Sequence, residues 1–199
     1  MVANLINSSI ALSVSQLAKE KNRIAIINGS GSSRLTNDAC TPNSVHYAYD
    51  TYALARGTGS ALLKAGKKSW YFLTADYAFG HALEADTSAV VKGLGGEVVG
   101  STRYPIETFD QSSFLLQAQA SKAQVIGLAG SGTVLVNAIK SAQEFGIPKG
   151  GQTLAGLLVW ITDIKSLGLS TSQGLVLTNA FYWAARTKHV PGPSASMSE

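Results

Sequence analysis

The chain is poor in cysteine, in charge and in long apolar runs, and each shortage excludes a class of protein. Its single cysteine, Cys40, can form no internal disulfide and rules out a multi-cysteine zinc motif. As a lone thiol it is expected to be a small buried or half-buried residue. Charged residues make up 14% of the 199, against 45% hydrophobic, which describes a core-forming chain and not a disordered one. The net charge of +4 is mild, and Lys19, Lys21, Arg23, Lys64, Lys67 and Lys68 form no stripe interleaved with aromatics. Nucleic acid is therefore not an expected partner. No apolar run reaches the roughly 18 residues of a membrane-spanning helix, so no membrane span is expected. Met1–Ile10 lacks a basic start and is interrupted by Asn4, Asn7, Ser8 and Ser9, unlike a signal peptide. Either the protein is cytoplasmic or its export signal lies outside this chain.

Nucleotide, hydrolase and metal motifs are missing as well. Gly29-x-Gly31 has Arg34, and Gly130-x-Gly132 has Leu135, where a dinucleotide fingerprint needs Gly or Ala. The Gly66-Lys67-Lys68-Ser69 run lacks the upstream glycine of a phosphate-binding loop and precedes a strand. No Gly-x-Ser-x-Gly elbow occurs. His46, His81 and His189 are isolated, and none has a metal-binding spacing. No cofactor is implied, and no nucleophile–base pair is visible.

What the chain does have is a regular alternation of strands and helices. A helix is expected over Ala11–Lys21, with Asn7-Ser8-Ser9 available as a cap, then a strand over Arg23–Asn28. Gly29-Ser30-Gly31-Ser32-Ser33 follows, a loop of small residues able to bring N–H groups and hydroxyls to a carboxylate or phosphate. As a plain flexible turn it would look the same. Thr36–Tyr49 reads as irregular, and Thr51–Ala65 as a helix stopped by Gly66. Ser69–Thr74 is a buried-type strand, followed by Ala75-Asp76-Tyr77-Ala78-Phe79 and a helix over Gly80–Leu94 that Asp76 is placed to cap. Strands are expected at Glu97–Tyr104, Gln124–Ala129, Thr153–Thr162 and Gly174–Thr178. Helices fill the gaps, one through Leu115, Leu116 and Ala120 with caps supplied by Thr108–Ser113, one up to Phe145, and a short one at Asp163–Leu169. This rhythm predicts an α/β fold, a parallel sheet between helix layers with right-handed crossovers. Residues 1–45 supply too little to make a core alone. Pro191–Glu199 has no periodicity and is expected to be disordered.

Open α/β sheets place ligands at the carboxyl ends of their strands. There this chain carries hydroxyls, glycines and the aromatics Tyr77 and Phe79, an inventory suited to holding a small molecule with a carboxylate and an apolar body.

Three segments, Thr74-Ala-Asp-Tyr-Ala-Phe-Gly-His81, Asn28-Gly-Ser-Gly-Ser-Ser-Arg-Leu-Thr36 and Phe109-Asp-Gln-Ser-Ser-Phe-Leu115, resemble the type I periplasmic solute-binding proteins of ABC transporters, of the branched-chain amino acid class. The likeness covers roughly residues 5–183. It implies two α/β lobes joined by crossing strands, with the ligand trapped between them by hinge closure. Residues 1–46 would be the end of the first lobe, 47–178 a nearly complete second lobe, and 179–199 the crossing back. The resemblance implies a ligand site of Ser8 with its neighbour Ser9, the loop Gly29, Ser30, Gly31 and Ser32, and Phe79, with Tyr77 as a second apolar wall. It also implies Ser131, where the family has a second aromatic, and Leu158, where it has an acid that holds an α-ammonium group. Without that acid an aromatic or other organic carboxylate is a better expectation than an ordinary amino acid. The Asp76-Tyr77-Ala78-Phe79-Gly80 form resembles a subgroup associated with such ligands.

The implied partners are a small-molecule carboxylate, of the aromatic acid or branched-chain amino acid type, and the membrane permease of an ABC importer, and the implied location is the periplasm. Family members are nearly twice as long as this chain, so the resemblance implies a fragment with the first lobe truncated. A cytoplasmic ligand-sensing domain of the same fold is the alternative. An α/β enzyme comes last, for want of acid–base groups.

Overall fold

The computed structural model describes residues 1–179. The expectations for a crossing segment beyond Asn179 and for a disordered tail at Pro191–Glu199 lie outside the described residues.

A small N-terminal unit comes first. Helix α1 (Ser8–Glu20) starts at Asn7, whose side-chain oxygen accepts from the N–H groups of Ser9 (2.9 Å) and Ile10 (3.2 Å). Strand β1 (Ala25–Ile27) pairs in parallel with β2 (Ser44–His46). Strand β2 falls inside the segment expected to be irregular: three residues flanked by polar positions give too short a run to show a period. Leu5, Ala11, Ala18, Ala25, Ile27 and Leu35 form a small cluster of their own. Cys40, expected to be at least half-buried, is exposed, because it lies in the polar loop between Leu35 and β2.

The larger unit is a five-stranded, wholly parallel sheet in the order β4-β3-β5-β6-β7. Its strands are β3 (Ser69–Ala75), β4 (Glu97–Tyr104), β5 (Val125–Ala129), β6 (Thr153–Gly156) and β7 (Val176–Leu177). Successive side chains of a strand point to opposite faces, and β3 divides accordingly. Trp70 and Phe72 join Leu54, Leu62, Leu83 and Val90 of α2 (Thr51–Lys64) and α3 (Ala78–Gly93). Leu73 and Ala75 join Leu115, Leu135 and Ile139 of α4 (Ser112–Ala120) and α5 (Gly132–Glu144). Helices thus cover both faces, as a parallel sheet requires.

The expected strand Thr153–Thr162 is four residues long. Beyond Gly156 the chain bends, Leu157, Leu158 and Val159 are buried outside the strand, and α6 (Ile161–Leu167) begins. A continuous apolar run marks burial and not ladder pairing. Helix α7 (Leu169–Ser172) leads into β7.

Helix α3 seats against the sheet through Gly80. A Cβ there would overlap the carbonyl oxygen of Ala75 and press on that of Ala129, so only glycine lets the helix approach β3 and β5 this closely. The residue before the helix, Tyr77, supplies no side-chain cap. Asp76 does not cap it either; its carboxylate pairs instead with Nε2 of His81 at 2.7 Å.

Candidate functional site

Strands β3 and β4 end side by side at Ala75 and Tyr104, and β5 ends on the other side of β3 at Ala129, paired with Thr74. Their carboxyl ends open onto a cleft of about 250 Å³ lined by Ala75, Tyr77, Tyr104, Ile106, Ser131 and Val134. The N-terminal unit closes its other side with Ile6 and Asn7. Among the described residues lining the cleft none is charged. Its polar groups are the Asn7 amide and three hydroxyls, of which Tyr77 and Ser131 face each other at 3.4 Å.

Burial raises the Tyr77 phenol above its ordinary pKa, and the Ser131 hydrogen bond only partly opposes the shift. Burial likewise raises Tyr104, as does its proximity to Tyr77. Tyr49 is raised by burial and then by Tyr77. Three neutral phenols therefore surround the junction of the two units, and they remain hydrogen-bond donors well above neutral pH.

The residues anticipated from the sequence are distributed around this junction. Ser8 is buried, and its Oγ accepts from the Ser32 N–H at 3.3 Å. The Ser9 hydroxyl reaches across to the first turn of α3 and accepts from the Ala78 N–H at 3.3 Å. The Gly29 carbonyl accepts from the Tyr49 hydroxyl (3.2 Å), and the Ser30 hydroxyl donates to the Leu5 carbonyl (2.8 Å). Gly31 faces the rings of Tyr49 and Phe79. The Ser32 hydroxyl is buried and has no hydrogen-bond partner among the described residues. Phe79 lies in the core, 6.0 Å from Tyr77 between ring centroids, and is not one of the residues lining the cleft.

Of the anticipated set, Tyr77 and Ser131 line the cleft, while the serine–glycine loop packs behind Phe79 and Tyr49. Leu158 belongs elsewhere. It lines a separate apolar hollow with Tyr49 and Trp160, whose rings meet edge-on at 5.1 Å. Sequence reasoning missed Ile6, Asn7, Tyr104, Ile106 and Val134. For Tyr104 a signal was present: it is the last residue of an expected strand, the place where such sheets put ligands.

Three further hydrogen bonds, all made by Thr51, hold the junction. The Thr51 hydroxyl accepts from the Ser33 N–H (2.9 Å) and donates to Asp86 (2.6 Å), tying the loop after β1 to α2 and α3. The Thr51 N–H donates to the Gly31 carbonyl at 2.7 Å. Among the described residues no helix is long and apolar enough to cross a membrane, and no group of three or more His, Cys, Asp or Glu is gathered as a metal site.

A family model for periplasmic binding proteins matches residues 1–197. A crystal structure of a periplasmic binding protein from Burkholderia mallei is 57% identical, with a TM-score of 0.87 over 94% of this chain and 49% of that one. A branched-chain amino acid ABC transporter periplasmic ligand-binding protein from Burkholderia xenovorans is 34% identical, with a TM-score of 0.76 over 92% and 50% of the two chains. Among curated sequences, Leu/Ile/Val-binding protein homolog 6 of Brucella melitensis is 26% identical over 87% of this chain and 44% of its own length. The chain thus spans about half the length of the relatives it matches.

Proposed function

This chain belongs to the periplasmic binding protein family, and from that premise we propose that it binds a small organic carboxylate with an apolar or aromatic body. In this reading residues 1–46 belong to the first lobe and 47–178 to the second. The ligand lies between them, in the cleft at the ends of β3, β4 and β5. The protein serves in the periplasm, delivering its ligand to the membrane permease of an ABC importer.

The observation that carries the ligand class is the lining of the cleft, apolar walls with neutral donors and no charge. Ile6, Ala75, Ile106 and Val134 suit a hydrocarbon body, while Asn7, Tyr77 and Ser131 supply donors for a carboxylate. An α-ammonium group would find no carboxylate partner there, and burying an unpaired charge is costly. Leu158, where the family has its acid, is likewise apolar. Ile6 and Asn7 form the first lobe's side of the cleft, and Ser8, Ser9 and the Gly29–Ser32 loop support it from behind through their bonds to one another, to Leu5 and to α3. Phe79 backs the cleft wall through Tyr77.

A thermal-shift panel of benzoate, 4-hydroxybenzoate, leucine and valine tests this. Aromatic acids are expected to raise the melting temperature and the amino acids to leave it unchanged. Stabilisation by leucine or valine with none by either aromatic acid would overturn the ligand class.

A further inference from the structure

We infer that Tyr104, at the end of β4, is a specificity-determining residue whose hydroxyl reads an oxygen at the inner end of the ligand. The inference rests on the reading of the cleft as a carboxylate-binding site and names a subclass of ligand, aromatic acids that carry a ring hydroxyl.

Tyr104 is only 2% exposed, its ring packs 6.4 Å from that of Phe114, and it lines the cleft. Its hydroxyl makes no hydrogen bond to another described residue and, unlike the Ser32 hydroxyl, is not sealed off, so it opens onto the cleft, whereas Tyr77 and Ser131 have each other. Once a ligand displaces water from the cleft, a hydroxyl left unpaired on its wall is costly, so the ligand is selected for an atom that meets it. The fold also makes room for it. The hydroxyl lies against Gly130, where any Cβ would overlap it, so the glycine that follows β5 fixes how deep the phenol sits.

Charge decides which end of the ligand faces inward. No charged side chain lines the cleft, so a carboxylate is held more favourably at the mouth, beside Asn7 and the 70%-exposed Ile6, where water still reaches it. The inner end is left for a neutral group. A purely hydrocarbon end leaves the Tyr104 hydroxyl unpaired, while a ring hydroxyl meets it with one hydrogen bond. Sites built to pair with a hydroxyl discriminate strongly against the analogue that lacks it.

Calorimetric titration of the 199-residue chain and of Tyr104→Phe with 4-hydroxybenzoate and with benzoate tests the assignment. The wild-type chain is expected to prefer the hydroxylated acid. Tyr104→Phe is expected to weaken that acid roughly tenfold and to change benzoate by less than about twofold, the scale of one buried hydrogen bond. Gly130→Ala, which displaces the same hydroxyl without removing it, is expected to produce the same selective loss and stands as the second variant if Tyr104→Phe folds poorly. Equal losses for the two acids, or no loss for the hydroxylated one, overturn the inference and leave the carboxylate reading intact. Binding of neither acid by the wild-type chain overturns the carboxylate reading and the inference with it.

Discussion

Two side chains decide most at the residue scale, and they do different work. Tyr104 is held neutral by burial, first, and by its neighbour Tyr77, second. Its folded pKa is raised, whereas an unfolded tyrosine ionises near pH 10. The stability it contributes is therefore fully present below about pH 10 and is lost as the pH climbs from there toward the folded value. Urea midpoints measured from about pH 9 to about pH 11 are expected to fall, and to fall less steeply in Tyr104→Phe. Thr51 is structural. It is fully buried and relays from the Ser33 N–H to Asp86. Thr51→Val keeps the shape and removes the hydroxyl, leaving a buried N–H unpaired, so a loss of about 2–3 kcal/mol is expected in urea denaturation. The Asp76–His81 pair is exposed on both sides, and His81→Ala is expected to change the same midpoint by less than about 0.5 kcal/mol.

Among the elements, α3 is the one on which the site depends. It carries Phe79 in its first turn behind Tyr77, meets the Ser9 hydroxyl of the N-terminal unit, and packs on the sheet through Gly80. Gly80→Ala puts a methyl against two backbone carbonyls, which cannot rotate away. A loss of about 3 kcal/mol or failure to fold is expected, read by circular-dichroism melting. The elements themselves were largely legible in the sequence. Strand Glu97–Tyr104 has the expected bounds, and α2 and β3 differ from expectation by one residue at one end. The failures share a cause. Strand β2 is three residues long, and the buried run after Gly156 leaves the ladder after one long bond from the Leu157 N–H to the Leu128 carbonyl (3.4 Å). Periodicity reports which residues are covered, and pairing partners come from distant parts of the chain.

At the scale of the molecule, the described residues form a small unit built on β1 and β2 and a five-stranded sheet, meeting at Ile6, Asn7, the Gly29–Ser32 loop and the first turn of α3. The family was legible because its marks lie in short contiguous segments such as Thr74–His81. The cleft was legible only in part. Tyr77 and Ser131 line it, but Ile6, Ile106 and Val134 come from three segments that only folding brings together. The serine loop reads as a ligand-facing surface in sequence, yet Ser30 is engaged with Leu5 and Gly31 with two aromatic rings. The central claim is that an organic carboxylate with an aromatic body occupies the cleft at the ends of β3, β4 and β5. Titration calorimetry of the full chain with benzoate, beside the cleft-filling variant Val134→Trp, tests it most directly. One-to-one binding with a negative heat-capacity change, lost in Val134→Trp while leucine gives no heat with either protein, is the predicted result. Binding of leucine but not benzoate, or benzoate binding that survives Val134→Trp unchanged, would contradict it.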